Sequence, residues 1–143
     1  MSLAKILLVD DEAAIVDAMV KRLSERDFEL LTAYSGQETL DVLKKDGDVD
    51  VVILDVKMPG MDGIETLKEI KSKHPLVEVI MLTAHATVEP AIEGMKLGAF
   101  DYLMKPAEID ELVDKIKKAE QIKRNKEDKI AEAQARDIYH QRA

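Results

Sequence analysis

The sequence predicts an α/β fold: a doubly wound, five-stranded parallel sheet in the order 2-1-3-4-5, with five helices, the last of them extended. Five short apolar runs alternate with five segments of helical periodicity, which demands right-handed crossovers and covers both faces of one sheet. The first and third runs are nearly continuous in Val, Ile and Leu, as in strands buried on both faces, while residues 28–33 alternate less cleanly. Three of them are followed at once by charged residues, Asp10-Asp11, Asp55 and Lys105, which places those side chains at the carboxyl edge, where open α/β sheets bind ligands.

Taken in order, residues 4–9 (AKILLV) form strand one. Helix one follows, with Ile15, Ala18, Met19 and Leu23 inward and Asp17, Lys21, Arg22 and Glu25 outward. Residues 28–33 form strand two. Ser35 with Glu38 three positions on is a capping box that opens a helix through about Leu43. Asp46-Gly47-Asp48 turns the chain into strand three, VVILD at 51–55, and Pro59-Gly60 with Asp62-Gly63 bends it sharply away. Helix three runs from near Asp62 to Ser72 with Ile64, Leu67 and Ile70 inward, and stops before Pro75. Residues 77–82 (VEVIML) form strand four, ending at Thr83, and 85–88 a loop. Ala91, Ile92 and Met95 line helix four, which closes at Gly98. Residues 100–104 form strand five, and a fifth helix opens near Glu108 with Ile109, Leu112, Val113 and Ile116 inward.

Composition narrows the function classes. A chain of 143 residues holds one domain, or one with an extension: here 1–119 as the body and 120–143 as a charged helical extension or the start of a linker. No apolar run is long enough to span a membrane, and no export pattern opens the chain, so a cytoplasmic location is expected. The absence of cysteine excludes thiolate chemistry and disulfides. Of the net charge of −8, residues 1–119 carry 24 acidic against 15 basic side chains. Such a body repels phosphates, so direct nucleic-acid binding by residues 1–119 is not expected.

Strands one and three are neighbours at the switch point of this topology, so Asp10, Asp11 and Asp55 point into one crevice. Asp10-Asp11 alone would also suit the cap and first turn of helix one. Three converging carboxylates cannot all stay charged unaided; protonation or a bound cation relieves them, and an oxygen-only cluster suits a hard ion such as Mg²⁺. Thr83 adds a hydroxyl at the end of strand four. Lys105 adds a cation after strand five, aimed by Pro106 and compatible with a cis bond. A nucleophilic carboxylate, a metal site, a cation and a hydroxyl are equipment for receiving a phosphoryl group.

VDDE at 9–12, ILDVKMPGMDG at 53–63, MLTAHA at 81–86 and GAFDYLMKP at 98–106 resemble, in order and spacing, the receiver domain of two-component response regulators, over residues 4–119. The resemblance implies a flavodoxin-like fold and a phosphorylation-activated switch, with no enzymatic activity beyond self-phosphorylation from a donor and slow self-dephosphorylation. By that resemblance Asp55 accepts a phosphoryl group from the phosphohistidine of a histidine kinase. Asp11, Asp55 and the backbone carbonyl of Lys57 hold Mg²⁺, with Asp10 acting largely through water, and Lys105 and Thr83 bind the phosphoryl oxygens. Tyr102, which also suits the core of strand five, matches the switch aromatic that works with Thr83. The face of helix four, strand five and helix five passes the signal on and allows a homodimer. Ala107 departs from the bulky apolar residue often found after the proline, without touching the chemistry. Lys57 and His85 flank the mouth of the site, although His85 also reads as an ordinary loop histidine.

Three other readings compete. A phosphohydrolase of the haloacid dehalogenase type would need an acid two residues after its nucleophile, where this chain has Lys57. A flavodoxin-like cofactor binder would need a Gly, Ser and Thr loop where Asp10-Asp11-Glu12 stands. A phosphorylation-independent scaffold would not need the five site positions, all of which are present. Beyond Ala119, no Gly or Pro interrupts the helix-forming residues, so helix five is expected to continue. Counted in heptads from Ile109, its apolar seam breaks at Lys123 and Lys126, which does not support a strong coiled coil.

Overall fold

Parallel pairing sets the order of the sheet. β1 (Ala4–Val9) lies between β2 (Phe28–Ala33) and β3 (Val51–Asp55), and β4 (Glu78–Thr83) and β5 (Asp101–Met104) follow, giving β2-β1-β3-β4-β5. The helices between them are α1 (Ala13–Leu23), α2 (Gly36–Lys45), α3 (Gly63–Lys73) and α4 (Val88–Lys96), and α5 (Ile109–Arg142) follows β5. The computed structural model describes residues 3–56, 62–83 and 88–142, with the backbone alone for Val88 and residues 139–142. The expected roles of Lys57 and His85, and the turn at Pro59-Gly60, lie outside the described residues.

Successive residues of a strand face opposite sides, and the two halves of the core follow from it. Ile6 and Leu8 of β1, Ile53 of β3 and Ile80 of β4 face α1 and α5, where Val16, Leu23, Leu112 and Ile116 cover them. Leu7, Val52, Leu54 and Met81 face the other way, against Leu43, Leu67 and Ile70 of α2 and α3. Each fully buried Leu or Ile contributes about 1.5–3 kcal/mol. Ser35 caps α2 as predicted, its Oγ accepting from Glu38 N at 3.1 Å, while the Glu38 carboxylate reaches back one residue further than a capping box requires and accepts from Tyr34 N at 2.8 Å. Asp62 caps α3 through Glu65 N at 2.8 Å.

Several helical expectations shift. In α1 Leu23 is sealed in the core as expected, but its partner there is Val16, while Ala18 is exposed. In α4 Ala91 is buried, but Ile92 and Met95 are 48% and 43% exposed, not inward. The helix meets β4 through a small residue instead: a Cβ on Gly94 would lie 2.4 Å from Met81 Sδ. α4 ends at Lys96, short of Gly98. Strand four begins at Glu78 and takes in Thr83, and strand five begins at Asp101.

α5 passes Ala119 without a break, as expected, and its 34 residues span roughly 50 Å. The two lysines that interrupt its apolar seam are used. Lys123 Nζ lies 2.9 Å from Asp50 Oδ1, and Lys126 Nζ lies 2.9 Å from Glu78 Oε1, at the amino edge of the sheet. Lys5 reaches Asp46 at 2.9 Å on the same edge. Among the described residues, no helix is long and apolar enough to cross a membrane.

Candidate functional site

At the carboxyl edge, β1 and β3 run side by side with Val9 opposite Leu54, so the next residue of each strand reaches the same crevice. Those residues are Asp10 and Asp55, both buried, at 2% and 6% exposure. Asp11 is exposed beside them. The three carboxylates each offer an oxygen within 4.8 Å of the others. Asp10 is fixed by accepting from Glu12 N at 3.0 Å. Asp10 and Asp11 do not cap α1: the cap position is Glu12, and the first turn holds no acid.

The end of β3 is set by the start of α3. A Cβ on Gly63 would sit 2.5 Å from the Asp55 carbonyl oxygen, so only glycine lets the helix press this closely against the strand end. Gly63 N donates to Val56 O at 3.0 Å, and Val56 N donates to Leu82 O at 3.0 Å, tying the Asp55 backbone to both α3 and β4.

Lys105 closes the crevice. Its Nζ lies 2.6 Å from Asp10 Oδ2 and 3.2 Å from Asp55 Oδ1, and its backbone N–H donates to Thr83 O at 2.8 Å. The Lys105–Pro106 bond is cis. Burial pulls the Lys105 ammonium down, but the hydrogen bond to Asp10 and the charge of Asp55 outweigh it, and its pKa stands above the ordinary lysine value. Even so, among the described residues one ammonium faces three carboxylates. The site retains a negative excess built wholly from oxygen donors, which fits a small divalent cation.

Thr83 sits at the end of β4, 9% exposed, with Met104 as its register partner on β5. Tyr102 pairs with Met81 and is 43% exposed, so it is not a core aromatic. Asp101 Oδ1 accepts from Tyr102 N at 2.8 Å, while its other oxygen pairs with Lys115 of α5. The sequence missed Met104, 49% exposed on the same strand face as Tyr102. The period-two rule would have found it.

Residues 6–117 match the family described as the response regulator receiver domain. The chain is 41% identical over 112 residues to the DNA-binding transcriptional regulator NtrC of Klebsiella pneumoniae, covering 78% of this chain and 24% of that protein. It is 42% identical over 108 residues to the regulatory protein AtoC of Escherichia coli, covering 76% and 23%. It therefore spans about a quarter of the length of these curated relatives. Among solved structures, a response regulator receiver domain protein from Clostridium thermocellum is 42% identical, with a TM-score of 0.80 over 87% of this chain and 98% of that one. A CheY-like receiver domain protein from Methanospirillum hungatei is 30% identical, with a TM-score of 0.82 over 87% and 99%.

Proposed function

The chain belongs to the response regulator receiver domain family, a family of phosphorylation switches, and on that footing we propose that Asp55 is its phosphoacceptor and a histidine kinase its donor. The observation that carries this reading is a buried Asp55 carboxylate within 3.2 Å of a lysine and grouped with two further carboxylates. An Asp55 oxygen attacks the phosphorus of a phosphohistidine. The phosphorus–nitrogen bond breaks, its electron pair returns to the imidazole, and an acyl phosphate remains on Asp55. Asp10, Asp11, Asp55 and the Lys57 carbonyl are the groups that would hold Mg²⁺, which when bound neutralises charge between the carboxylates and the phosphoryl oxygens. Lys105 stands ready to follow a phosphoryl oxygen on Asp55, and Thr83 supplies a hydroxyl from the next strand.

Hydrogen bonds to a charged group contribute about 1.5–3 kcal/mol each, so Thr83 and Lys105 together match the roughly 5.5 kcal/mol needed to invert a 1:99 equilibrium. In this reading Thr83 moves toward the phosphoryl group and Tyr102 turns into the space it leaves. The output face is α4, β5 and α5, where Ile92, Met95, Tyr102 and Met104 already stand exposed, and a second copy of the chain is its proposed occupant. The donor approaches from the other side of Lys105. There an apolar groove between α1 and α5, lined by Ile15, Ala18, Met19 and Leu112, borders Lys105 and Pro106.

Residues 1–119 are the proposed switch, with 120–143 leading onward from it. A kinase donor places the chain in the cytoplasm, and DNA contact is not ascribed to the acidic body. No observation favours the hydrolase reading. The test is intact-mass measurement after exposure to a small phosphodonor with Mg²⁺. The native chain gains one phosphoryl group, and Asp55→Asn and the chelator-treated protein gain none. Unchanged phosphorylation of Asp55→Asn would overturn the assignment.

A further inference from the structure

The residues that match the receiver family end at 117, yet Lys123 and Lys126, further along α5, both return to the body. Lys123 is 7% exposed and donates to Asp50 Oδ1 at 2.9 Å, while the other Asp50 oxygen accepts from Lys5 N at 2.9 Å. Lys126 donates at 2.9 Å to Glu78, a carboxylate only 3% exposed. A spacing of three puts both lysines on one helix face, the continuation of the Leu112, Ile116 and Ala119 face that covers the sheet. The sheet ends there, so the face changes from apolar to basic where it meets the carboxylates at the strand ends, and long aliphatic stems carry the charges across.

The two acceptors occupy particular places. Asp50 directly precedes β3, whose last residue is Asp55, and Glu78 opens β4, whose last residue is Thr83. Glu78 N donates to Asp50 O at 3.2 Å, so the two strand starts are also tied to each other. Beyond Lys126, residues 127–138 are all exposed.

We propose that Lys123 and Lys126 form a two-point latch that makes the first turns of the extension part of the domain body and holds the remaining α5 arm in one direction. We further propose that β3 and β4 couple this latch to the reaction at Asp55. The first half stands without the receiver reading; the coupling rests on it. The arm's direction is then a property of the domain, available to whatever the arm joins or touches, and a shift of either strand start alters it.

The cysteine-free sequence permits clean double spin labelling. Labels are placed at Lys68→Cys on α3 and Gln134→Cys on the arm, both exposed positions. Pulsed dipolar spectroscopy should give one narrow distance distribution in the otherwise native chain and at least a twofold broader one in Lys123→Met/Lys126→Met. Amide protection over residues 120–126 should fall at least tenfold in that variant. Lys126→Met alone, which keeps the buried Lys123 pair, serves should the double variant unfold, and should broaden the distribution by a smaller factor. An unchanged distribution in a folded variant overturns the latch. For the coupling, beryllium fluoride with Mg²⁺ stands in for the phosphoryl group, and should change protection over 120–126 at least threefold in the unlabelled native chain and not in the double variant. If amides beside Asp55 respond and 120–126 do not, the coupling is wrong while the receiver reading stands. If nothing beside Asp55 responds, the receiver reading fails and the coupling with it, and the distance distributions alone judge the latch.

Discussion

The two edges of the sheet both gather carboxylates, and they do opposite things with them. At the amino edge Asp46, Asp50 and Glu78 each meet a lysine of their own, Lys5, the buried Lys123 and Lys126, with Glu29 and Glu127 also 3.6 Å from Lys5 and Lys123 respectively. At the carboxyl edge Asp10, Asp11 and Asp55 share Lys105 alone among the described residues. Carboxylates that each have a lysine of their own are satisfied and hold helices to strands, with Lys123 and Glu78 the buried members. Carboxylates that outnumber the cations beside them among the described residues store an attraction for a metal ion and, through it, for a phosphoryl group. Acidity does not distinguish the two edges, whereas among the described residues the number of cations per carboxylate does.

Breaking the balance at the amino edge should cost stability and little chemistry. Lys123→Met leaves Asp50 short of its buried cation, and removing one partner of a buried pair costs about 3–5 kcal/mol. The Asp50 bond to Lys5 N points to the lower end of that range. Urea unfolding measures the loss, while phosphorylation of the folded variant at Asp55 continues.

Removing Lys105, the one cation of the carboxyl edge among the described residues, should do the reverse. Lys105→Met loses a charged hydrogen bond to the phosphoryl oxygen, worth about 1.5–3 kcal/mol, so phosphoryl transfer from a small donor slows by roughly ten- to a hundredfold. Mg²⁺ binds more tightly, because a positive neighbour has gone. Stopped-flow phosphorylation and a Mg²⁺ titration separate the two effects.

The smallest effect is in pH dependence, and it also divides by edge. Lys105 has a raised pKa, because its bonds to Asp10 and Asp55 outweigh the cost of burial, so the stability it contributes is complete below the ordinary 10.5 and is lost as pH rises through the raised value. Asp46 has a lowered pKa, chiefly through its hydrogen bond from Lys5, so its contribution is present above the ordinary 3.8 and is lost as pH falls through the lowered value. Chemical denaturation across pH should show Lys105→Met flattening the alkaline limb and Asp46→Asn the acid limb.

What could be read from the sequence follows the same division. Asp10, Asp55 and Lys105 were legible because each follows an apolar run with no intervening turn, and parallel topology dictates which strand ends meet. The roles of Lys123 and Lys126 were not legible, because their partners lie 73 and 48 residues away at strand starts, and a heptad count sees only a broken seam. α4 failed for another reason. Periodicity finds an apolar stripe but not what covers it, and this helix turns Ala91 and Gly94 inward, leaving Ile92 and Met95 outside. Tyr102 and Met104 are exposed on β5 in the same way. These exposed apolar residues make up the proposed output face, where the rule that apolar residues go inward gives way to function.

The contrast between the edges is tested most directly with Mn²⁺ as a paramagnetic stand-in for Mg²⁺, added below stoichiometry to the full chain and read by amide NMR. A charge deficit confined to the carboxyl edge predicts broadening around Asp10, Asp11 and Asp55, with resonances near Asp50 and Glu78 left sharp. Equal broadening at both edges, or broadening at the amino edge alone, would contradict the claim that unmatched charge is what makes the site.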